Sequence, residues 1–212
     1  MNSAWVPPSQ PDDFVFDAES ETAITIVLKK YPVERKASAV MPLLYIAQKQ
    51  MSRCTGSAWV PLQAMNEIAK RLEIAPIRVY EVASFYTMFN KRPIGRYHLQ
   101  VCTTTPCWLR GSDEIVSACR RETGINHFGE TSADGLFTLT EVECLGACAN
   151  APILQVDDDF YEDMDSESVQ KLIAELRDGR RPAPGPRVDR LNSAPEGGRK
   201  TLLTVSTPVD EQ

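Results

Sequence analysis

The spacing of apolar positions changes partway along the chain. AESETAITIVLKK, from Ala18 to Lys30, reads as a helix with acids in its first turn and lysines in its last, as the helix dipole favours. From Ala37 to Ser52, Val40, Leu43, Leu44, Ala47 and Met51 recur at spacings of three and four, a second helix. Pro42 falls in its first turns, where a missing N–H is tolerated. Cys54 to Ser57 read as the loop after it. Pro61 opens a third helix, with Leu62, Met65, Ile68, Ala69 and Leu72 on one face. Pro76 opens a fourth, running toward Phe89. Residues 18–92 are therefore predicted to form a helical bundle. Residues 1–17, rich in Pro, Ser and Asp, are expected to be a flexible N-terminal arm.

After Pro93 and Gly95 the pattern turns to strands. Tyr97–Val101 is the first, and Phe137–Val142 alternates as the second. Pro152–Val156 is a third; Asp157, Asp158 and Asp159 make a turn into a fourth at Phe160 and Tyr161. One helix is predicted from about Pro106 to Glu122, its stripe formed by Trp108, Ile115, Val116 and Cys119, with Gly124 ending it. Ser166 is predicted to cap a last helix reaching Arg177. This order predicts an α+β fold: the bundle, then a thioredoxin-like α/β domain over residues 93–178 with a four-stranded sheet. Residues 179–212 have linker composition and are expected to be an extended or disordered tail.

At 212 residues the chain can hold one substantial core and an accessory layer. No apolar run reaches the ~18–20 residues of a membrane span. The N-terminal stretch lacks a basic flank and an apolar run, and no arginine precedes Arg35, so neither a secretory signal nor a transit peptide is expected. A net charge of −6 without a basic stripe argues against a nucleic-acid partner.

Six cysteines in such a chain are expected to be reduced or metal-bound rather than paired in disulfides. Four of them form two short motifs. VCTTTPCWLRG carries Cys102 and Cys107 as C-x4-C, ECLGACANAP carries Cys144 and Cys148 as C-x3-C, and thirty-six residues separate the inner members. Each motif follows a predicted strand, so two loops of unequal length could close a cage of four thiolates. Thiolates bind soft or borderline metals, which leaves zinc and iron–sulphur as candidates. Structural zinc knuckles favour C-x2-C turns. Longer loops suit a two-iron cluster, because they reach further and bring N–H groups toward the sulphurs. Gly146 lets the second loop approach closely. Pro106 and Cys107 are expected at a helix start, whose partial positive end favours a thiolate. On spacing alone, [2Fe–2S] leads, with zinc or no metal still open.

Other chemistries fit less well. No C-x-x-C exists for a dithiol catalyst, and His98 and His127 do not follow cysteines as a Rieske pair would. His98, Cys54 and Cys119 read as structural residues. No Gly-rich nucleotide motif follows a strand; Gly197 to Thr201 only superficially look phosphate-binding. A carrier without a nucleotide site must exchange electrons through partners.

With these residues in view, the two cysteine motifs resemble those of the thioredoxin-like [2Fe–2S] subunit of respiratory complex I. VYEVASFYTMFNKRPIGRYHLQVC over residues 79–102 and RLNSAPEGGRKTLLTV over residues 190–205 are similar to segments of that family as well. The resemblance implies one [2Fe–2S] cluster with Cys102, Cys107, Cys144 and Cys148 as ligands. It implies docking on a partner subunit that carries FMN and the NADH site, among other subunits of a hydrophilic arm. The cluster is then expected to exchange single electrons with FMN, at the cytoplasmic side of the bacterial inner membrane and without insertion into it. Two other settings share the motifs: a diaphorase subunit of an NAD-linked hydrogenase or formate dehydrogenase, and a free-standing ferredoxin. The helical half argues against the last, which has no need of it.

Overall fold

The computed structural model describes residues 10–198 and 201. The first nine residues of the N-terminal arm, and residues 199–200 and 202–212 of the tail, lie outside the described residues. The chain divides into two compact units between Arg96 and Tyr97.

The first unit is helical. It contains α1 (Ala18–Leu28), a 3-10 turn (Val33–Ala39), α2 (Val40–Thr55), α3 (Leu62–Leu72) and α4 (Pro76–Phe85). Asp17 caps α1 by accepting from the Ser20 amide at 2.8 Å, and Pro76 occupies the first turn of α4. The apolar stripes meet in one core containing Leu43, Leu44, Ala47, Met65, Ile68, Leu72, Val79 and Ala83. Phe16, ahead of α1, is buried in that core. Gln50 holds the same stretch, donating to the Val15 carbonyl at 2.8 Å and accepting from the Asp17 amide at 3.0 Å. Several boundaries differ from expectation: α1 ends at Leu28 rather than Lys30, and α2 begins at Val40 rather than Ala37, after the 3-10 turn. Cys54 lies in the last turn of α2 rather than in the following loop, and α4 stops at Phe85 rather than Phe89, where Tyr86 turns to extended backbone.

The second unit is a sheet with helices. Its elements are β1 (Tyr97–Cys102), α5 (Thr105–Leu109), α6 (Ser112–Thr123), β2 (Phe137–Val142), a 3-10 turn (Cys148–Asn150), β3 (Leu154–Val156), β4 (Asp159–Glu162), α7 (Ser166–Arg177) and β5 (Gly185–Pro186). The strand order is β2-β1-β3-β4-β5. β1 and β2 are parallel, β3 is antiparallel to both β1 and β4, and β5 runs parallel to β4. Leu99, Val101, Phe137, Leu139, Leu154 and Tyr161 of the sheet pack with Ile115 and Cys119 of α6 and Val169, Ile173 and Leu176 of α7.

The expected four-stranded sheet thus has a fifth strand, supplied by the tail. Gly185 and Pro186 escape a search for alternating β-branched residues because their pairing is set by the edge of β4, not by their own side chains. The single helix expected from Pro106 to Glu122 is two. Gly111, at φ 97°, breaks it in a conformation that side-chain-bearing residues rarely adopt. Trp108 is consequently 56% exposed instead of lying on the inward stripe. At the start of α7 the cap is Asp165, which accepts from the Ser168 amide at 2.7 Å; Ser166 is the first helical residue. Asp159, expected in the turn, begins β4.

Candidate metal centre

Parallel pairing decides where the cysteines go. β1 and β2 run side by side with Cys102 opposite Val142, so the loops that follow them leave the same edge of the sheet. Cys102 is the last residue of β1, and its amide donates to the Ile153 carbonyl at 3.3 Å. Cys107 sits in the single turn of α5. Both are 1% exposed and pack with Ala151 and Ile153, flanked by Leu145 and Ala147 from the second loop. Cys144 and Cys148, in contrast, are exposed.

Within each pair the sulphurs interact. Cys144 Sγ and Cys148 Sγ are 3.4 Å apart. Cys107 favours ionisation of Cys102, and Cys102 opposes that of Cys107. The pairs also reach one another. The Leu145 amide of the second loop favours ionisation of Cys102, the Thr104 hydroxyl of the first favours that of Cys144, and the charge of Cys102 opposes ionisation of both Cys144 and Cys148. The Thr104 hydroxyl also lies 3.2 Å from Cys102 Sγ, and the Gly146 amide is 3.4 Å from Cys144 Sγ. Gly146 makes that approach at φ +81°, with no atom within 4 Å of where a Cβ would stand.

These contacts split each pair into an acceptor and a donor. At Cys102 burial opposes ionisation, yet hydrogen bonds from Thr104, Cys107 and Leu145 hold its thiol below the ordinary value. Burial, with donation to Cys102, pushes Cys107 up to about 12. The Gly146 amide, then the Cys148 thiol, lowers Cys144, while Cys148 is raised by donating to it. Each pair therefore has one sulphur at which the thiolate is favoured and one at which the thiol is favoured.

All six cysteines are free thiols. Among the described residues, no three His, Cys, Asp or Glu side chains converge closely enough to hold a single metal ion. The four thiols stand as two pairs on one sheet edge, and this donor set suits two metal atoms with two ligands each better than one tetrahedral ion. Cys119 lies apart from them, buried on α6, where burial pushes its thiol up to about 12. His98 is buried in β1 with Nε2 2.8 Å from Thr140 Oγ1, and burial lowers its pKa to about 4. His127 is exposed. Neither histidine belongs to the thiol group.

Spacing missed the polar groups that serve the sulphurs. Thr104 is one of three consecutive threonines, and nothing in the run distinguishes the one that turns toward Cys102. The Leu145 amide carries no side-chain signal at all.

Comparison with known proteins shows the family of the chain. The family model of the thioredoxin-like [2Fe–2S] ferredoxin matches residues 24–177. The E subunit of NADH-quinone oxidoreductase from Rickettsia prowazekii (strain Madrid E) is 51% identical over 160 residues, 76% of this chain and 87% of the relative. The Rickettsia felis (strain ATCC VR-1525 / URRWXCal2) protein of the same name is 48% identical over 163 residues, 77% of this chain and 94% of the relative. Among solved structures, an NAD+-reducing [NiFe]-hydrogenase aligns with a TM-score of 0.56 at 18% identity, over 66% of this chain and 23% of that chain, a likeness of fold. The chain belongs to the thioredoxin-like [2Fe–2S] ferredoxin family, alongside relatives that are E subunits of NADH-quinone oxidoreductase.

Proposed function

We propose that this chain is the electron-transfer subunit of the NADH-oxidising module of NADH-quinone oxidoreductase, carrying one [2Fe–2S] cluster that exchanges single electrons with FMN on a partner subunit. Membership in the same family as the Rickettsia relatives supports the electron-transfer role. The observation that carries the finer reading is the pairing of four thiols at one edge of a parallel strand pair. Cys102, Cys107, Cys144 and Cys148 would hold the cluster, which when bound supplies one-electron redox chemistry.

The chain's own contribution is positioning and charge. The strand end and α5 hold Cys102 and Cys107 out of water. The Gly146 amide and the Thr104 hydroxyl lie against sulphur and the Leu145 amide favours the Cys102 thiolate; around a bound cluster these groups would offset negative charge and tune the potential. The exposed Cys144 and Cys148 leave one side of the site open to a partner surface. FMN and the NADH site are assigned to that partner, which together with other hydrophilic-arm subunits would surround this chain at the cytoplasmic side of the bacterial inner membrane. No helix among the described residues is long and apolar enough to cross a membrane. Identity near one half to the Rickettsia relatives favours this setting over the hydrogenase one, where the likeness is of fold alone.

Iron, acid-labile sulphide and zinc measured on the purified protein, with EPR after dithionite reduction, test the cluster. About two irons and two sulphides per chain, with a signal from the reduced state, are expected. A colourless zinc protein sinks the reading. In the assembled complex, NADH should reduce this centre at potentials where reduction is possible; a centre that stays oxidised there removes FMN exchange from the proposal.

A further inference from the structure

Beyond α7 the tail is tied to the sheet by three arginines in succession. Arg181 reaches Asp157 at 3.1 Å, Asp159 at 2.9 Å and the Val156 carbonyl at 2.9 Å. The Tyr161 hydroxyl donates to the Pro182 carbonyl at 3.0 Å, and β5 then pairs with β4. Arg187 lies over the Tyr161 ring, 5.1 Å from its centroid. The third arginine ends at the cysteine loop. Arg190 Nη2 is 2.6 Å from Asp163 Oδ1, with the two side chains only 10% and 5% exposed. Its Nη1 is 3.4 Å from both the Ala149 carbonyl and Asn150 Oδ1.

Ala149 and Asn150 follow Cys148 directly and share its single 3-10 turn. Asn150 is gripped from several sides. Its Nδ2 donates to the Asn192 carbonyl at 2.9 Å and also to Glu162, and its carbonyl accepts from the Asp163 amide at 2.7 Å. Arg110, following α5, donates to the Ala151 carbonyl at 3.5 Å. The turn that presents Cys148 is thus held by side chains from distant parts of the unit, while the cysteine itself contributes no burial.

The ion pair is an incomplete one. Asp163 Oδ2 and Arg190 Nε are buried without a hydrogen-bond partner. A buried pair with unsatisfied atoms is a poor stabiliser in its own right. What its fork supplies is direction, with one arm on Asp163 and the other on the backbone and side chain just after Cys148.

We propose that Arg190 is a positioning residue for the second cysteine loop, and that the tail from Arg180 to Asn192 is a strap holding the Cys148 turn ready for cluster binding. This rests on the reading of Cys148 as a ligand. Fixing an exposed loop before ligation removes an ordering cost that binding otherwise bears. A partner that outer ligand groups require typically changes metal retention by about 10- to 100-fold.

The full chain is compared as wild type, Arg190→Ala and Arg190→Lys. In iron-free protein, Arg190→Ala should raise hydrogen exchange at the amides of residues 147–151 and leave β1 and α7 unchanged. In cluster-loaded protein it should release iron to a chelator about 10- to 100-fold faster and alter the visible circular dichroism. Lysine keeps the charge facing Asp163 without the fork, so Arg190→Lys should release iron at an intermediate rate. Wild-type exchange and release in Arg190→Ala overturn the proposal. So does exchange raised equally across the whole unit, which marks a merely structural role. If the alanine variant does not fold, wild-type iron release in Arg190→Lys overturns it. Cys148→Ser separates the two readings: wild-type iron content there sinks the ligand assignment, while exchange at residues 147–151 still decides whether the strap orders the turn.

Discussion

The two cysteine pairs share one sheet edge and differ in what holds them. Cys102 and Cys107 are buried, framed by a strand end, a helical turn and the side chains of Ala151 and Ile153. Cys144 and Cys148 are exposed and held by the Gly146 amide and the polar grip on the turn after Cys148. The inner pair is placed by packing, the outer pair by hydrogen bonds. Packing is non-directional and serves the fold as well, whereas hydrogen bonds to a loop serve mainly its geometry. Replacements in the two pairs should therefore be alike in iron and unlike in stability.

Serine at any of the four positions is the largest expected effect. Oxygen is a harder ligand than thiolate, so each variant should lose most of its iron. Iron-free thermal or denaturant unfolding then divides them. Cys102→Ser and Cys107→Ser should cost about 1–3 kcal/mol through the buried hydroxyl, and Cys144→Ser and Cys148→Ser within about 0.5 kcal/mol. Cys119→Ser is the reference: stability should fall by about 1–3 kcal/mol with iron content untouched. Iron loss from Cys119→Ser equal to that from Cys144→Ser breaks the ligand assignment.

The strand beneath the inner pair carries the next effect. His98, buried in β1 with its pKa lowered to about 4, is neutral in the folded protein where the unfolded chain already binds a proton. The unfolded state therefore binds more protons as pH falls from about 6.5 to about 4, and stability falls with it. The full window corresponds to about 3 kcal/mol. Subtracting the pH–stability curve of His98→Gln from that of wild type should isolate a loss of this sign and window. A difference curve that is flat there removes His98 as the acid-sensitive element.

How much of this was legible in the sequence follows the same division. The stripes of α2 and α3 and the alternation of β1 and β2 could be read from period, because burial selects apolar residues at fixed intervals. The cysteines stood out by type and spacing. The fifth strand did not, since Gly185 and Pro186 carry no strand signal and depend on an edge formed elsewhere. The break at Gly111 was hidden by a helical pattern on both sides, which drew Trp108 into a stripe it does not join. Arg190 looked like one charge in a linker. Its role requires Asp163 and Asn150, twenty-seven and forty residues away, and no local pattern reports such a meeting.

In the outer loop, Gly146→Val tests conformation without crowding. A Cβ there meets nothing within 4 Å, so the penalty is backbone strain at φ +81°, about 1–2 kcal/mol. Escape from that conformation withdraws the amide from Cys144. Iron retention should fall, and Gly146→Asn should fall less, because asparagine tolerates the left-handed region better. Equal behaviour of valine and asparagine would argue that the loop does not need this conformation.

The finest test concerns one hydroxyl on the inner pair. Thr104 Oγ1 is 3.2 Å from Cys102 Sγ and is a main reason that this buried thiol sits below its ordinary value. Thr104→Val keeps the side chain's volume and removes the donor, a change of about 0.5–1.5 kcal/mol in the balance between thiol and thiolate. Burial then acts with less opposition, so the Cys102 pKa should rise. In iron-free protein, alkylation of Cys102 near neutral pH should slow, since only the thiolate reacts, while alkylation of the exposed Cys148 should hold its rate. Cys148, on which Thr104 does not act, serves as the internal standard. Slowing at both cysteines would mean that Thr104 governs the whole edge rather than the inner sulphur, and that packing and hydrogen bonding are not divided between the pairs in the way their burial suggests.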